Sequence, residues 1–411
     1  MKFGSMIRLA ESIILQCREC KKEYTPEFRY VCDECFGPLD VKYPTVRIEK
    51  DRFANREQTY WRYHELLPIL EKSNIVNISA GMTPLVHAKK LGAKLGLDNL
   101  YIKNDSVNPT FSFKDRPAGV AVSKSIEFGL SSVGCASTGN LASATAAHAA
   151  KAGLPCHIFA PADIEHAKIV QALSYGAEYH AIDGTYDDAN RMAAMASDRS
   201  RIGIVNINMR SYYVEGSKTL AYEAAEQLGW KVPDHLVVPV GSGAMLNAIC
   251  KGFEELESAS LLGTVENMHV TAAQPKGCAP IVDAYENNSE VKPIEKPETV
   301  AKSLAIGDPG DGKYVIERIK QYNGYAAKTT DKEILDAILI LAKTEGIFTE
   351  PAGGVSVSVL QRMVGEGIID RTETVVCYVT GNGLKATEPL MDILPTPIVT
   401  PKDNKLLAVI K

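Results

Sequence analysis

Short apolar runs alternate with longer amphipathic segments along most of the chain after about residue 100. The runs are four to six residues long, as in buried strands, and the segments between them carry apolar residues at helical spacing. The predicted strands are 100–103, 132–136, 156–160, 177–182, 202–206, 236–240, 268–273 and 374–379. The predicted helices are 117–128, 141–151, 165–175, 186–199, 217–228, 245–256, 332–343 and 354–365. This alternation predicts an α/β fold whose mainly parallel sheets are covered on both faces.

Four of the nine cysteines form two C-x-x-C pairs near the N-terminus, Cys17 with Cys20 and Cys32 with Cys35. Eleven residues separate the pairs, a spacing typical of a zinc ribbon in which four thiolates surround Zn²⁺ as a tetrahedron. The alternative is a ribbon that keeps its shape without metal, because acidic side chains neighbour the cysteines. We therefore expect a small zinc-ribbon-like segment over residues 1–44, ahead of the α/β body.

The charge balance excludes some classes of protein. The 45 Lys and Arg residues are outnumbered by 50 Asp and Glu, and the formal net charge is −5. Such a chain lacks the basic footprint of a general nucleic-acid binder. No apolar run approaches the ~18 residues of a membrane-spanning helix, and Glu11 interrupts the apolar stretch near the N-terminus. We expect no nucleic-acid or membrane partner, no signal peptide and a cytoplasmic location.

Four polar loops follow predicted strands, where parallel α/β sheets bind their ligands. The first loop, residues 108–116, holds Lys114 between an aromatic residue and a predicted helix start. Apolar surroundings and a helix start lower the pKa of an amine and make it a better nucleophile toward a carbonyl. The alternative is a surface lysine paired with Asp115.

The second loop contains Ser137, Thr138 and Asn140, where helical N–H groups suit a carboxylate, although plain N-capping is equally compatible.

The third loop is rich in glycine and begins a predicted helix, so its N–H groups can surround a phosphate. Its residues are Gly241, Ser242, Gly243, Ala244 and Met245. The fourth loop places the hydroxyl of Thr380 after an apolar strand, where it either meets an aromatic nitrogen or caps a turn. A reactive lysine, a carboxylate loop, a phosphate loop and a neutral hydroxyl together suit pyridoxal-phosphate chemistry.

The motifs in these loops carry a family resemblance. Asn-Pro-Thr-x-Ser-Phe-Lys-Asp-Arg occupies residues 108–116, Ser-Thr-Gly-Asn occupies 137–140, and Thr-Gly-x-Gly-Leu-Lys occupies 380–385. With these motifs in this order, the chain from about residue 81 to residue 385 resembles the threonine synthases of the fold-type-II, tryptophan-synthase-β-like family of pyridoxal-phosphate enzymes. The cysteine-rich leader is similar to that of archaeal-type members.

The resemblance implies roles for the loop residues. Lys114 would form the internal Schiff base with pyridoxal 5′-phosphate, and Asn140 would bind the 3′-oxygen of the pyridine ring. The glycine-rich loop would hold the cofactor phosphate, and Thr380 would face the pyridine nitrogen. Ser137, Thr138 and the adjoining backbone would bind the substrate carboxylate.

The implied reaction converts O-phospho-L-homoserine and water to L-threonine and phosphate. Arg116, Lys218, Asn206 and Arg210 are the candidates for the substrate phosphate. Tyr213 occupies a position where relatives often carry an arginine for this phosphate, and Arg210 is the expected substitute. Glu350 is either a carboxylate near the site or an exposed helix cap. A sister reaction such as that of cysteate synthase, threonine dehydratase or cysteine synthase is the nearest alternative. A zinc-ribbon regulatory protein with an inactive body is a more distant one.

The resemblance also implies a domain organisation. A larger lobe that binds the cofactor phosphate would comprise residues 45–104 and 214–395. A smaller lobe with the lysine and the carboxylate loop would comprise 105–213, and 396–411 would form a tail. The family expectation is a homodimer.

Overall fold

The computed structural model describes residues 13–45, 47–137, 139–162 and 166–396. Within these residues the chain forms three β-sheets. The first is antiparallel and contains β1 (Ile14–Cys17), β2 (Glu23–Tyr24) and β3 (Leu39–Lys42), with β1 in the centre. The remaining strands are β4 (Leu85–His87), β5 (Asn99–Asn104), β6 (Ser132–Ala136), β7 (Cys156–Pro161), β8 (Glu178–Ile182), β9 (Ile202–Ile204), β10 (His235–Pro239), β11 (His269–Pro275), β12 (Tyr325–Thr329) and β13 (Thr374–Val379).

These strands build two largely parallel sheets. The six-stranded sheet has the order β12-β11-β10-β13-β5-β4 and is parallel except at the β4–β5 pair. The four-stranded sheet has the order β8-β7-β6-β9 and is entirely parallel. The six-stranded sheet uses residues 85–104 and 235–379, and the four-stranded sheet uses residues 132–204. The grouping of these segments into two lobes stays a prediction.

Helices cover the sheets. The α-helices are α1 (Lys89–Leu95), α2 (Asp115–Glu127), α3 (Asn140–Ala152), α4 (His166–Ser174), α5 (Tyr186–Arg199), α6 (Arg210–Ser217), α7 (Thr219–Gln227), α8 (Ala244–Ser258), α9 (Pro280–Glu286), α10 (Gly312–Gln321), α11 (Asp331–Glu345), α12 (Pro351–Gly365) and α13 (Glu388–Met391). Short 3-10 helices occupy Lys50–Phe53, Tyr60–Leu66, Lys72–Asn74, Asp105–Val107, Lys276–Cys278, Lys302–Leu304 and Gly383–Lys385. None of the described helices is both long enough and apolar enough to span a bilayer.

The predicted α/β class is confirmed, and each of the eight predicted strands matches a strand to within two residues at either end. Helix α6 is not predicted, because its residues are mostly poor helix formers. It forms against α2, and Gly216 permits the close approach. A Cβ at Gly216 would lie 2.2 Å from the carbonyl oxygen of Arg116. Tertiary packing rather than helix propensity therefore makes this segment helical.

The N-terminal antiparallel sheet is packed into the body of the protein. Leu15 and Val41 share one apolar core with Ala118 and Val122 of α2. The Nζ of Lys251 on α8 also donates to the carbonyl oxygen of Val41 at 2.7 Å. The cysteine-bearing sheet therefore contacts two helices of the body. Helix α2 connects β5 of the six-stranded sheet to β6 of the four-stranded sheet, and α8 connects β10 to β11.

Candidate active site

The loop that carries Lys114 is joined to the loop after β13. Phe113 N donates to the Thr380 carbonyl oxygen at 2.8 Å, and Asn382 N donates to the Phe111 carbonyl oxygen at 3.0 Å. Strands β5 and β13 are neighbours, so the loops that leave them start side by side. The structure thus brings together two of the motifs that the sequence separates by more than 260 residues.

The side chain of Lys114 points toward aromatic rings. Its Nζ donates to the hydroxyl oxygen of Tyr213 at 3.0 Å and lies 4.5 Å from the ring centroid of Phe113. The alternative of a pair with Asp115 does not hold. The buried carboxylate of Asp115 instead accepts from the backbone N and the hydroxyl of Thr110, both at 2.8 Å.

Asn140 is the first residue of α3 and meets a buried carboxylate. Its Nδ2 donates to the two carboxylate oxygens of Glu350 at 3.0 and 3.2 Å. Glu350 precedes α12 and is only 6% exposed, so it is not an exposed cap. Burial raises the pKa of the Glu350 carboxyl, against the opposing effects of Asn140, Lys385 and Lys114. A Glu-Pro step at a helix start is the sequence signal for this residue, but it does not distinguish the two environments.

The carboxylate loop is held by its neighbours. Ser137 N donates to the Phe159 carbonyl oxygen at 3.1 Å, and Thr138 lies outside the described residues. Asn206 binds both backbone groups of Ala136, since its Oδ1 accepts from N and its Nδ2 donates to O, each at 3.1 Å. Asn206 therefore holds the last residue of β6 in place, directly before the carboxylate loop.

The glycine-rich loop after β10 leads into α8. Gly243 has a φ of +97°, and a Cβ there would lie 2.7 Å from Cγ2 of Val315. The loop is tied down because Asp311 N donates to the Ser242 carbonyl oxygen at 3.0 Å. Helix α8 is 15 residues long, so the N–H groups and the dipole of its first turn favour an anion.

Arg210 lies beside this loop. Its guanidinium is paired with the carboxylate of Asp311, which is 2% exposed. The same carboxylate accepts from Nη1 of Arg18 at 3.0 Å. Arg18 stands between Cys17 and Cys20, so the cysteine-rich segment reaches the glycine-rich loop through a single buried acid.

Arg116 does not lie with Arg210 beside the glycine-rich loop. Its guanidinium is fully buried, with Nε donating to Asp105 at 2.6 Å and Nη2 donating to Glu223 at 2.7 Å. Nη1 also donates to Thr219 at 3.0 Å. A guanidinium enclosed by two carboxylates has no face open to a ligand.

The four N-terminal cysteines converge as the ribbon prediction requires. Sulfur atoms of Cys17 and Cys35 are 3.4 Å apart, those of Cys20 and Cys32 are 3.5 Å apart, and all four lie within 4.8 Å of one another. These distances exceed a disulfide bond and approach the ~3.8 Å between sulfurs that share a tetrahedral Zn²⁺. A Cβ at Gly37 would lie 2.9 Å from the sulfur of Cys17, so only a glycine passes this close.

The groups of the four loops fit pyridoxal phosphate by their chemistry. The cofactor has an aldehyde, a phosphate, a phenolic oxygen and a pyridine nitrogen. The chain offers the Lys114 amine, the start of α8, the Asn140 amide and the Thr380 hydroxyl. Gly243 leaves the backbone of the α8 start free of a side chain. Each part of the cofactor thus has a matching group.

Comparison with known proteins also identifies pyridoxal phosphate as the cofactor of the family. A family model described as pyridoxal-phosphate dependent enzyme matches residues 76–381. The chain is 38% identical to the threonine synthase of Methanocaldococcus jannaschii over 96% of this chain and 98% of that protein. It is 39% identical to the threonine synthase of Methanosarcina acetivorans over 94% of this chain and 95% of that protein.

Solved structures share the fold at lower sequence identity. Threonine deaminase isoform 2 from Solanum lycopersicum, in its processed form, has a TM-score of 0.65 at 19% identity. The match covers 84% of this chain and 90% of that chain, and at this identity it shows similarity of fold alone. The chain belongs to the family of pyridoxal-phosphate dependent enzymes, and within it to the threonine synthase family.

Proposed function

We propose that the protein is a threonine synthase, which converts O-phospho-L-homoserine and water to L-threonine and phosphate with pyridoxal phosphate as cofactor. The observation that carries the proposal is the junction of the Lys114 and Thr380 loops, in a chain that matches threonine synthases over almost its whole length. This reaction is the last step of threonine biosynthesis.

The proposed cofactor contacts follow from the groups described above. The glycine-rich loop and the first turn of α8, from Gly241 to Met245, would hold the phosphate. Thr380 would face the ring nitrogen, Asn140 would bind the phenolic oxygen and Lys114 would meet the aldehyde. When bound, pyridoxal phosphate supplies an electron-accepting ring that stabilises negative charge on the substrate carbons.

Lys114 carries the proton transfers. Its amine removes the proton from the α-carbon of the substrate and then one from the β-carbon. Phosphate leaves from the γ-carbon, which gains one of these protons. The hydroxyl of water adds at the β-carbon, the second proton returns to the α-carbon, and the remaining proton of the water leaves with the phosphate. The aromatic rings around Nζ limit access of water to the amine.

The remaining residues position the substrate. Ser137, Thr138 and the first N–H groups of α3 bind the substrate carboxylate, and Asn206 fixes this loop through Ala136. Arg210 is the proposed cation for the substrate phosphate, because it lies beside the glycine-rich loop. Asp311 must then share Arg210 with the substrate, and Arg18 supplies it with a second cation.

The decisive experiment supplies O-phospho-L-homoserine to the purified protein reconstituted with pyridoxal phosphate. Phosphate and threonine should accumulate in equal amounts. The Lys114→Ala variant should lose both the visible absorbance of the lysine-bound cofactor and the activity. Formation of 2-oxobutyrate from threonine, without phosphate release from phosphohomoserine, would identify a sister reaction instead.

We further propose that Cys17, Cys20, Cys32 and Cys35 bind one structural Zn²⁺. Four thiols at these separations suit tetrahedral coordination, and such sites contribute directly to folding. Metal analysis should find one zinc per chain and none in the Cys20→Ser variant. The buried Cys278→Ser variant is the control and should retain zinc. A wild-type protein that stays metal-free in zinc-supplemented medium would contradict the assignment.

We also infer a homodimer in the cytoplasm, the usual state of the enzymes that the chain resembles. Light scattering of the purified holoenzyme should give about twice the chain mass of 44.6 kDa. A monomeric mass with full activity would refute the dimer.

A further inference from the structure

The hydroxyl of Tyr213 lies at the atom that does the chemistry. Its Oη accepts from Lys114 Nζ at 3.0 Å, and within the described ranges it is the hydrogen-bond partner of that nitrogen. Tyr213 is 5% exposed, and Nζ lies 5.7 Å from its ring centroid. The phenol is therefore buried, whereas Lys114 is partly exposed.

The position of Tyr213 is fixed by its helix. Its backbone N donates to the Met209 carbonyl oxygen at 2.9 Å, and Gly216 one turn later brings α6 against α2. Lys114 immediately precedes α2. Two helices in close contact thus hold the amine and the hydroxyl at a set distance, as a site on rigid elements requires.

The neighbouring tyrosine serves a different purpose. Tyr212 Oη donates to the Glu27 carbonyl oxygen at 2.7 Å, and its ring packs edge-on against Phe128 at 5.3 Å. Consecutive residues on a helix point about 100° apart, so Tyr212 faces the cysteine-rich segment and Tyr213 faces the lysine. Burial raises the pKa of both Cys135 and Tyr186 to about 12, which keeps both groups neutral near pH 7. The acids near Lys114 include Glu350, which interacts with it electrostatically, and its sequence neighbour Asp115.

We propose that Tyr213 is a catalytic residue, which orients the Lys114 amine and stabilises the proton that this amine carries during turnover. A phenol suits both states of the amine, because its oxygen accepts from the protonated form and its O–H donates to the neutral form. When Lys114 takes a proton from a substrate carbon, the resulting ammonium donates another of its N–H bonds to Oη. When the ammonium gives a proton to carbon, the phenol O–H rotates and donates to the nitrogen lone pair, so the phenol keeps its own proton throughout.

The test compares Tyr213→Phe with Tyr212→Phe. Each change removes one hydroxyl and keeps the ring, so the packing of α6 is preserved. This inference rests on the proposed function for its kinetic part alone. Uptake of pyridoxal phosphate by the cofactor-free protein, followed by absorbance across a range of pH, measures the lysine without any substrate.

For Tyr213→Phe we expect a kcat about 10- to 100-fold lower, with KM within about threefold of wild type, since one acid–base partner is lost. Its uptake profile should move to lower pH, because the protonated amine has lost its acceptor. Tyr212→Phe should keep the wild-type profile and kcat while melting at a lower temperature. Tyr213→His, which restores a donor and an acceptor, should recover part of kcat.

Two results would overturn the assignment. An unchanged uptake profile and kcat in Tyr213→Phe would show that the hydroxyl has no part in lysine chemistry. A rise in KM alone, with kcat and the profile unchanged, would make Tyr213 a substrate-binding residue. If the wild-type protein released no phosphate from phosphohomoserine, the proposed function would fail while the uptake measurement still decided the role of Tyr213.

Discussion

The burial of Arg116 gives a prediction that separates a structural cation from a substrate ligand. Replacing Arg116 with Met keeps most of the side-chain volume but leaves Asp105 and Glu223 buried without their shared partner. Breaking a fully buried ion pair by removing one member costs about 3–5 kcal/mol. Total stability of a folded domain is about 5–15 kcal/mol, so this variant loses a large part of it.

The assay is urea denaturation of the holoenzyme together with steady-state kinetics. Arg371→Met is the matched control, because Arg371 pairs with Asp98 at the surface, with 72% and 51% of the side chains exposed. Such a pair contributes about 0–1 kcal/mol. We expect a large drop in the free energy of unfolding for Arg116→Met alone, with a KM for phosphohomoserine close to wild type in the folded fraction.

The opposite pattern would refute the reasoning. If Arg116 bound the substrate phosphate, losing its charged hydrogen bonds would cost about 1.5–3 kcal/mol of binding, or about 10- to 150-fold in KM. If the free energy of unfolding of Arg116→Met stayed within about 1 kcal/mol of wild type while KM rose by this factor, the guanidinium would be a substrate ligand.

Three further predictions concern the loops and the buried charges. Gly243→Ala should weaken cofactor binding about tenfold or more, because the new Cβ meets Val315 at a φ of +97°, whereas Gly263→Ala in open space should not. Fluorescence titration with pyridoxal phosphate measures both. Burial by itself raises the pKa of Glu223, but neighbouring Arg and Lys charges outweigh it and lower that pKa to about 2. The stability contributed by Glu223 is thus complete above its usual pKa and is lost as pH falls toward 2, so unfolding free energy should drop less steeply with acid in Glu223→Gln. Asn206→Ala should raise KM with little change in cofactor absorbance, because the loop at Ala136 loses two hydrogen bonds; an unchanged KM would contradict that support role.

Local pattern was sufficient for most of the fold. Helix Tyr186–Arg199 has the predicted bounds, and Thr185 caps it through a capping box with Asp188. Strand Ser132–Ala136 also has the predicted bounds, because it is an apolar run between polar residues. These elements depend on neighbours in sequence, which is the information that periodicity and caps contain.

The environments of the site residues depend on contacts between distant parts of the chain. Arg116 meets Glu223 across 107 residues, and Asn140 meets Glu350 across 210. Tyr213 reaches Lys114 across 99 residues, from a helix that packing rather than propensity creates. No local pattern shows whether a charged side chain lies beside a ligand or inside an ion network. The sequence therefore does not show that Arg116 is enclosed by Asp105 and Glu223.

The shared core of the N-terminal sheet and α2 determines how the chain can be divided. Leu15 and Val41 cover apolar side chains of α2, and Arg18 reaches the loop before α8 through Asp311. A shortened protein that began near residue 81 would expose that surface to water and leave Asp311 short of a counter-ion. Hybrid enzymes that exchange the catalytic body between relatives must therefore take the leader from the same parent.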